Sequence, residues 1–236
     1  MAIQKQLEDS VASTLNELWR TSEAYIVPTT ANLLLGQNDA CYLKGATVLY
    51  ADLDGSTDMV DTNDWWISAE VYKMFLYCAA RIIRDEGGDI TAYDGDRVMA
   101  IFYRKDDQDT CAIRSAFKIN RIVNYLINPS LKARYPAITF SVRSTIGIDR
   151  GDLMAARTGV RGDNDIVWVG RAANHAAKLT AVEEPQHNIR ITDDVYRNLT
   201  KIVSFTDAGF PCWFERNWGA QNRTVWISGC WWSPAF

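Results

Sequence analysis

Two aspartates stand at positions where a buried carboxylate would need a cation. Asp52 closes the apolar run ATVLYA, and Asp96 precedes the apolar run VMAIF after the turn YDG. An isolated carboxylate at the edge of an apolar strand is costly to remove from water. A divalent cation removes that cost, and carboxylate oxygens suit Mg²⁺ or Mn²⁺. We therefore expect Asp52 and Asp96 to hold divalent cations.

A small polar turn follows the first of these carboxylates. Gly55, Ser56 and Thr57 can offer backbone N–H groups to a phosphate chain. A calcium-binding EF-hand loop is excluded here, because the glycine comes at the fourth position of the loop rather than the sixth and Asn63 replaces the closing glutamate. The pattern therefore favours a phosphate-bearing substrate bound together with metal.

Composition limits what else the protein can be. The 236 residues carry 25 Lys+Arg against 29 Asp+Glu, and 47% are hydrophobic, which indicates a globular protein without the basic face that nucleic-acid binding needs. The sequence has neither a signal peptide nor an apolar run near the roughly 20 residues of a membrane span. Five cysteines without a CxxC pair indicate neither a disulfide framework nor a zinc site. We expect a reduced, cytoplasmic protein with no nucleic-acid or membrane partner.

Hydrophobic periodicity predicts the elements that position these residues. An amphipathic helix over 1–20 and an irregular linker over 21–44 precede a single domain over 45–236. In that domain we predict a strand at 46–53, a helix at 68–85, a hairpin of 90–93 and 97–103, a helix at 106–128 closed by Pro129, and a strand at 137–148 that ends before a bend at Gly151. A strand at 166–169, a helix at 171–182, strands near 188–192, 201–206, 212–217 and 223–228, and a small helix near 193–200 complete the set. The order predicts an α+β fold with a split-βαβ (ferredoxin-like) core and an antiparallel sheet.

Four segments carry a resemblance to a known family. In order along the chain they are ATVLYADLDGST, AYDGDRVMAIF, STIGIDRGDLMAA and VWVGRAANHAAKL. Together they resemble the catalytic domain of the class III nucleotide cyclases, the adenylate and guanylate cyclase family, over roughly residues 45–230. Within that family the chain is most similar to the compact uridylate cyclases of Pycsar antiphage defence.

The resemblance assigns roles at the strand ends. It implies that Asp52 and Asp96 bind two Mn²⁺ or Mg²⁺ ions and that the backbone carbonyl of Leu53 contacts a metal. It also implies that the turn of Gly55, Ser56 and Thr57 contacts the phosphates. Two cations can lower the pKa of a ribose 3′-hydroxyl and neutralise the departing diphosphate.

The resemblance also assigns a pair on the predicted helix over 171–182. Asn174 and Lys178 match the family's Asn and Arg, which orient the ribose and stabilise the transition state. They are four residues apart and therefore share one helix face. Lysine keeps the charge of the family's arginine but loses its two-pronged geometry. In the family this face closes over the nucleotide of the other subunit, which implies a homodimer with sites between chains.

The base-reading positions depart from the family's purine pattern. Ala92 replaces a lysine, and Val167 replaces the second hydrogen-bonding residue. A site without partners for a base's polar edge discriminates poorly for that base. Tyr50 could pack on or hydrogen-bond a smaller base. Arg97 could reach the nucleotide, although strand alternation relative to Asp96 points it the other way.

These observations together predict a pyrimidine nucleotide cyclase. We expect it to convert UTP to 3′,5′-cyclic UMP and diphosphate, as a second messenger that acts in antiphage defence through a separate cyclic-nucleotide effector. A cytidylate or adenylate cyclase remains an alternative, because losing the purine code does not separate uracil from cytosine. A catalytically dead cyclase-homology module that binds nucleotide or a partner is the alternative from another class, but such modules usually lose their metal ligands.

Overall fold

A mixed sheet runs through the whole molecule. The computed structural model describes residues 2–35, 38–182, 184 and 186–232. Its strands are β1 (Arg20–Glu23), β2 (Asp39–Asp54), β3 (Asp89–Asp94), β4 (Arg97–Phe102), β5 (Arg143–Val160), β6 (Asp163–Val169), β7 (Ile189–Thr192), β8 (Phe214–Trp218) and β9 (Arg223–Ser228). The strands are ordered β3-β4-β2-β5-β7-β9-β8, with β1 pairing to β2 and β6 to β5.

Helices cover both faces of this sheet. They are α1 (Ala2–Asn16), α2 (Ser56–Thr62), α3 (Trp65–Asp85), α4 (Gln108–Ile122), α5 (Asn128–Arg134), α6 (Arg171–Thr180), α7 (Asp193–Tyr196) and α8 (Lys201–Ser204). A π-helical turn, Val123–Ile127, joins α4 to α5. Within the described residues, no helix combines the length and apolarity required to cross a bilayer.

The centre of the sheet is the predicted split-βαβ unit. The path β2-α3-β3-β4-α4-β5 gives the strand order β3-β4-β2-β5, and each neighbouring pair is antiparallel. The predicted α+β fold class is confirmed. This arrangement brings the ends of β2 and the β3–β4 hairpin side by side, which is where the two aspartates lie.

Strand β2 separates two cores by simple alternation. Leu49, Ala51 and Leu53 face the core that contains α3 and α4. Val48 faces the opposite core with α6, and Tyr50 packs at its edge. Because side chains alternate along a strand, Asp52 shares the α6 face with Tyr50.

Helix α6 lies directly on the backbone of β5. A Cβ built on Gly147 would be 2.1 Å from the carbonyl oxygen of Ala176, so only glycine fits at this crossing. The inward side of α6 presents small residues, Ala172, Ala173 and Ala176, to the sheet. The position of the helix above the sheet is therefore set by contact with bare backbone.

The segment before residue 45 differs from its prediction. Residues 21–44, predicted to be an irregular linker, contain most of β1, which pairs in parallel with β2. Strand β2 begins at Asp39 and runs across the predicted boundary at residue 45. Leu33 is buried against the α6 core. Short polar strands such as RTSE lack the apolar alternation that reveals a strand in sequence.

Three later predictions also need correction. Pro129 does not end the helical segment, because the π-helical turn Val123–Ile127 directly before it accommodates the proline and α5 continues to Arg134. The strand predicted at 137–148 is β5, which starts at Arg143 and passes through Gly151 beside a bulge between Leu43 and Ala46. The strand predicted at 201–206 is instead the short helix α8, since a run of this length fits either period.

Substitution of Gly147 by alanine should push α6 off the sheet. We expect a loss of about 1–3 kcal/mol in the free energy of unfolding, as for other overpacked sites. The control is Gly219→Ala, because a Cβ at Gly219 meets nothing within 4 Å. Thermal unfolding of both variants is the measurement, and an unchanged melting temperature for Gly147→Ala would contradict this packing.

Candidate active site

Asp52 and Arg97 form an ion pair at the end of β2. Both the Nε and an Nη of Arg97 donate to Asp52 Oδ2, at 3.0 and 2.6 Å. Ala51 pairs with Val98, so the antiparallel register carries Asp52 next to Arg97. Burial raises the pKa of Asp52, which the guanidinium of Arg97 opposes. The expectation that Arg97 points away from the site is therefore wrong. It is the first residue of β4, and alternation does not extend back through the turn to Asp96.

Asp96 carries the unsatisfied charge of the site. Its Oδ2 is buried and has no hydrogen-bond partner among the described residues. The charge of Asp96 also raises the pKa of Asp52, so the two carboxylates are electrostatic neighbours. A buried acceptor without a donor is destabilising unless something else binds it. A divalent cation between Asp52 and Asp96 fits that requirement.

The donor set for such a cation is small. In the described part of the chain, no three His, Cys, Asp or Glu side chains cluster in a way that could hold a metal. Asp52 and Asp96 are thus two carboxylates that would need further oxygen ligands, from backbone, substrate or water. Mg²⁺ and Mn²⁺ are commonly bound in this way, through one or two carboxylates and substrate phosphates.

The predicted turn after β2 is confined to Gly55, because Ser56 and Thr57 are the first residues of α2, a short helix that the sequence pattern did not predict. Gly55 has φ +70°, a left-handed conformation that favours glycine, and it begins α2. The Leu53 N–H donates to Asp52 Oδ1 at 3.1 Å, which orients the carboxylate beside the turn. Ser56 lines a cleft of about 270 Å³ next to Gly55. Thr57 follows in the first turn of α2, where backbone N–H groups lack helical acceptors.

Tyr50 occupies the floor of the site on the α6 face. It pairs across the sheet with Met99 on one side and Gly147 on the other, and Ala92 is the neighbour of Met99 beyond. The guanidinium carbon of Arg97 is 6.0 Å from the centre of the Tyr50 ring. Residues directly opposite on adjacent strands share a face, so small or apolar side chains surround the ring. Tyr50, Asp52 and Arg97 are thereby brought together.

Asn174 and Lys178 lie on the outer side of α6. Both are exposed, whereas the neighbouring Ala173 and Ala176 are buried and face the sheet. No hydrogen bond or ion pair joins this pair to Asp52 or Asp96 among the described residues. Val167 on β6 is also exposed. The structure therefore gathers one half of the predicted site and leaves the α6 pair pointing to solvent.

Arg190 was not anticipated as a site-supporting residue. It is fully buried on β7, and one Nη donates to the carbonyls of Leu179 (3.3 Å) and Thr180 (3.5 Å). Burial lowers the pKa of Arg190 to about 10. The guanidinium binds the last carbonyls of α6, immediately after Lys178. It therefore fixes the backbone position from which the Lys178 side chain extends. The signal in the sequence was a single charge within the apolar run IRIT.

His175 packs between an aromatic ring and a buried aspartate. Its ring lies edge-on to Trp218, with centroids 5.4 Å apart, and its Nδ1 is 3.2 Å from Asp149 Oδ2. Burial lowers the pKa of His175, which favours the neutral ring. His175 and Asp149 therefore help to hold α6 against the sheet.

Comparisons with known proteins were made for the whole chain. No protein-family model matches it. It is 47% identical over 226 residues to a uridylate cyclase of Burkholderia cepacia, a match that covers 96% of each chain. It is 44% identical over 233 residues to a uridylate cyclase of Xanthomonas perforans, covering 98% of this chain and 99% of the relative.

Solved structures share the fold at low sequence identity. The adenylyl cyclase CyaB from P. aeruginosa superposes with a TM-score of 0.64 at 18% identity, covering 80% of this chain and 95% of that one. The guanylyl cyclase Cya2 gives 0.66 at 16% identity, covering 81% and 94%. The full-length sequence relatives and the shared fold, with aspartates at the ends of two adjacent strands, lead to one conclusion. The chain is a nucleotide cyclase and belongs to the class III cyclase family.

Proposed function

We propose that the protein is a uridylate cyclase that converts UTP to 3′,5′-cyclic UMP and diphosphate. The observation that carries the proposal is the cluster of Asp52, Asp96, Arg97 and Tyr50 where β2 ends beside the start of β4. The buried Oδ2 of Asp96 has no hydrogen-bond donor and could bind a cation. The Tyr50 ring could pack against a small base. The identity to relatives named uridylate cyclases supports the choice of base.

Metal would be held by Asp52, Asp96 and the backbone carbonyl of Leu53. Two Mn²⁺ or Mg²⁺ ions bound there would lower the pKa of the ribose 3′-hydroxyl and neutralise charge on the α-phosphate and on the departing diphosphate. Arg97 neutralises Asp52 in the chain as it stands. A cation held by that carboxylate would replace this ion pair, and Arg97 would then be free to contact the nucleotide.

The polar turn and the α6 pair bind the rest of the substrate. Backbone N–H groups at Gly55, Ser56 and Thr57 contact the triphosphate. Asn174 orients the ribose, and Lys178 places a positive charge against the transferring phosphoryl group. In the reaction the 3′-oxygen forms a bond to the α-phosphorus, the bond from that phosphorus to the bridging oxygen breaks, and diphosphate leaves.

Base choice follows from Tyr50 and from two further positions that lack a hydrogen-bonding side chain. Ala92 and Val167 offer no side-chain hydrogen bond to a purine edge. The Tyr50 ring, bordered by Met99 and Arg97, packs against one face of a pyrimidine. A purine would lose its polar partners here and so lose affinity.

Two copies of the chain complete each site. The exposed pair Asn174 and Lys178 acts on the nucleotide bound at Asp52 and Asp96 of the other subunit, as their outward position on α6 permits. The product serves in the cytoplasm as a second messenger of antiphage defence, which a separate cyclic-nucleotide effector reads.

Substrate identity is tested with purified protein, Mn²⁺ and each of the four ribonucleoside triphosphates. We expect UTP to give cyclic UMP at a rate at least tenfold above ATP and GTP, because the base site lacks purine partners, and we expect the same margin over CTP from the identity to relatives named uridylate cyclases. Liquid chromatography with mass spectrometry identifies the products. Cyclisation of ATP or CTP in preference to UTP would contradict the base assignment, and no product from any nucleotide would contradict an active cyclase.

Metal binding is tested without turnover by thermal unfolding with and without Mn²⁺. At a Mn²⁺ concentration of about 100 times its Kd, bound metal stabilises the native state by about 2.7 kcal/mol. We expect Mn²⁺ to raise the melting temperature of the unaltered chain accordingly. In Asp52→Asn and Asp96→Asn we expect Mn²⁺ to leave the melting temperature unchanged. Asp61→Asn, an exposed change on α2, is the matched control. An equal Mn²⁺ shift in all four proteins would place the metal elsewhere.

The shared site is tested by mixing two inactive variants. Asp96→Asn and Asn174→Ala each damage both sites of their own dimer. Half of the dimers in an equal mixture are mixed, and each of these has one intact site, so roughly a quarter of the activity returns.

The control mixture is Asp52→Asn with Asp96→Asn. These changes lie in the same half-site, so no mixed dimer contains an intact site and no activity returns. Recovery in the control mixture, or none in the test mixture, would contradict sites built from two chains.

A further inference from the structure

Helix α1 is amphipathic, but its apolar side faces solvent. We call Ile3, Leu7, Val11, Leu15 and Leu18 the α1 stripe; each of these side chains is 59–90% exposed. No residue of α1 is buried. Monomeric proteins rarely expose so large a contiguous apolar patch.

The outward direction of the stripe is fixed by how α1 is attached. The Asn38 side-chain amide donates to the carbonyls of Thr14 and Glu17, at 2.9 and 2.7 Å, and so caps the end of the helix. Ser13 is the one α1 residue that is half-buried. At 100° per residue it lies about 140° around the helix from the centre of the stripe. The body of the protein thus takes the polar side of α1 and leaves the apolar side free.

We propose that the α1 stripe pairs with the α1 stripe of a second copy of this chain, antiparallel and about a two-fold axis near Val11. The stripe is almost symmetric in sequence. Leu7 and Leu15 lie four residues on either side of Val11; Ile3 lies eight residues before it, and Leu18 follows just past the end of α1 at Asn16. A two-fold axis at Val11 therefore places leucine against leucine, as a self-complementary interface requires.

Size and charge favour this occupant over a membrane surface. Trp19, Tyr25 and Ile26 follow the stripe and are half or more exposed. Together these apolar surfaces are of the order of the ~800 Å² that each partner gives to a standard interface. Helix α1 carries Lys5 against Glu8 and Asp9, whereas helices that lie on anionic lipid are rich in Lys and Arg.

The pairing is independent of the nucleotide. It holds two chains together at their N-terminal helices whatever base the site accepts, and it would raise the local concentration of one α6 near the carboxylates of the other copy.

A charge swap at the axis tests the pairing. Val11→Asp or Val11→Lys alone places like charges together and should weaken self-association at least tenfold by sedimentation equilibrium. An equal mixture of the two variants should regain the affinity of the unaltered chain. Because α1 buries no side chain, each variant should keep its melting temperature. If either variant has a lowered melting temperature, Val11→Ser, a change to a small uncharged side chain at the same position, tests the loss of affinity instead.

Ala12→Asp is the matched control, since Ala12 is exposed and lies 100° around the helix from Val11. Three results would overturn the proposal: a mixture no tighter than either variant, equal damage from Ala12→Asp, or cosedimentation of the unaltered chain with phosphatidylglycerol vesicles that Val11→Asp abolishes. Cyclic UMP formation is measured separately at high protein concentration. Turnover by the unaltered chain, with a self-association that Val11→Asp leaves unchanged, counts against the α1 stripe alone. Self-association that Val11→Asp weakens, without product from the unaltered chain, counts against the proposed function alone.

Discussion

The site depends on two carboxylates that lie at the ends of neighbouring apolar strands. Burial works against the charge of Asp52, Arg97 offsets part of that cost, and Asp96 keeps a buried oxygen without a donor. One guanidinium cannot neutralise two carboxylates, so these strand ends retain negative charge that a cation could bind. Under the proposed function, a bound cation would let this mildly acidic protein hold a highly anionic nucleotide without a basic surface.

The second constraint is the position of α6. Gly147 lets the helix lie on bare backbone, and Arg190 caps its end after Lys178. The helix is therefore held closely on its inner side, while Asn174 and Lys178 are presented outward. In the proposed dimer this outward pair meets the carboxylates of another copy. Stiff support on one side and exposure on the other suit a group that must act across an interface.

Sequence reasoning found what depends on local pattern and missed what depends on register. Asp52 and Asp96 were predictable because strand ends and an Asp-Gly turn are local features. The orientation of Arg97 was not, because it depends on which residue of β2 lies opposite the first residue of β4. The length of β5 was missed for a similar reason: Gly151 resembles a turn until its pairing with Ala46 is known. Arg190 makes its contacts with a helix ten residues away in sequence, which no local pattern reveals.

The central claim is that Asp52 and Asp96 together bind the metal that serves the nucleotide. The most direct measurement is anomalous diffraction from crystals grown with Mn²⁺ and a non-cyclisable UTP analogue. The account predicts manganese at about 2.1 Å from carboxylate oxygens of both aspartates, as expected for an octahedral hard cation. It also predicts that Arg97 has left Asp52 for the nucleotide. Manganese absent from these carboxylates, with the Arg97–Asp52 ion pair intact beside bound nucleotide, would contradict it.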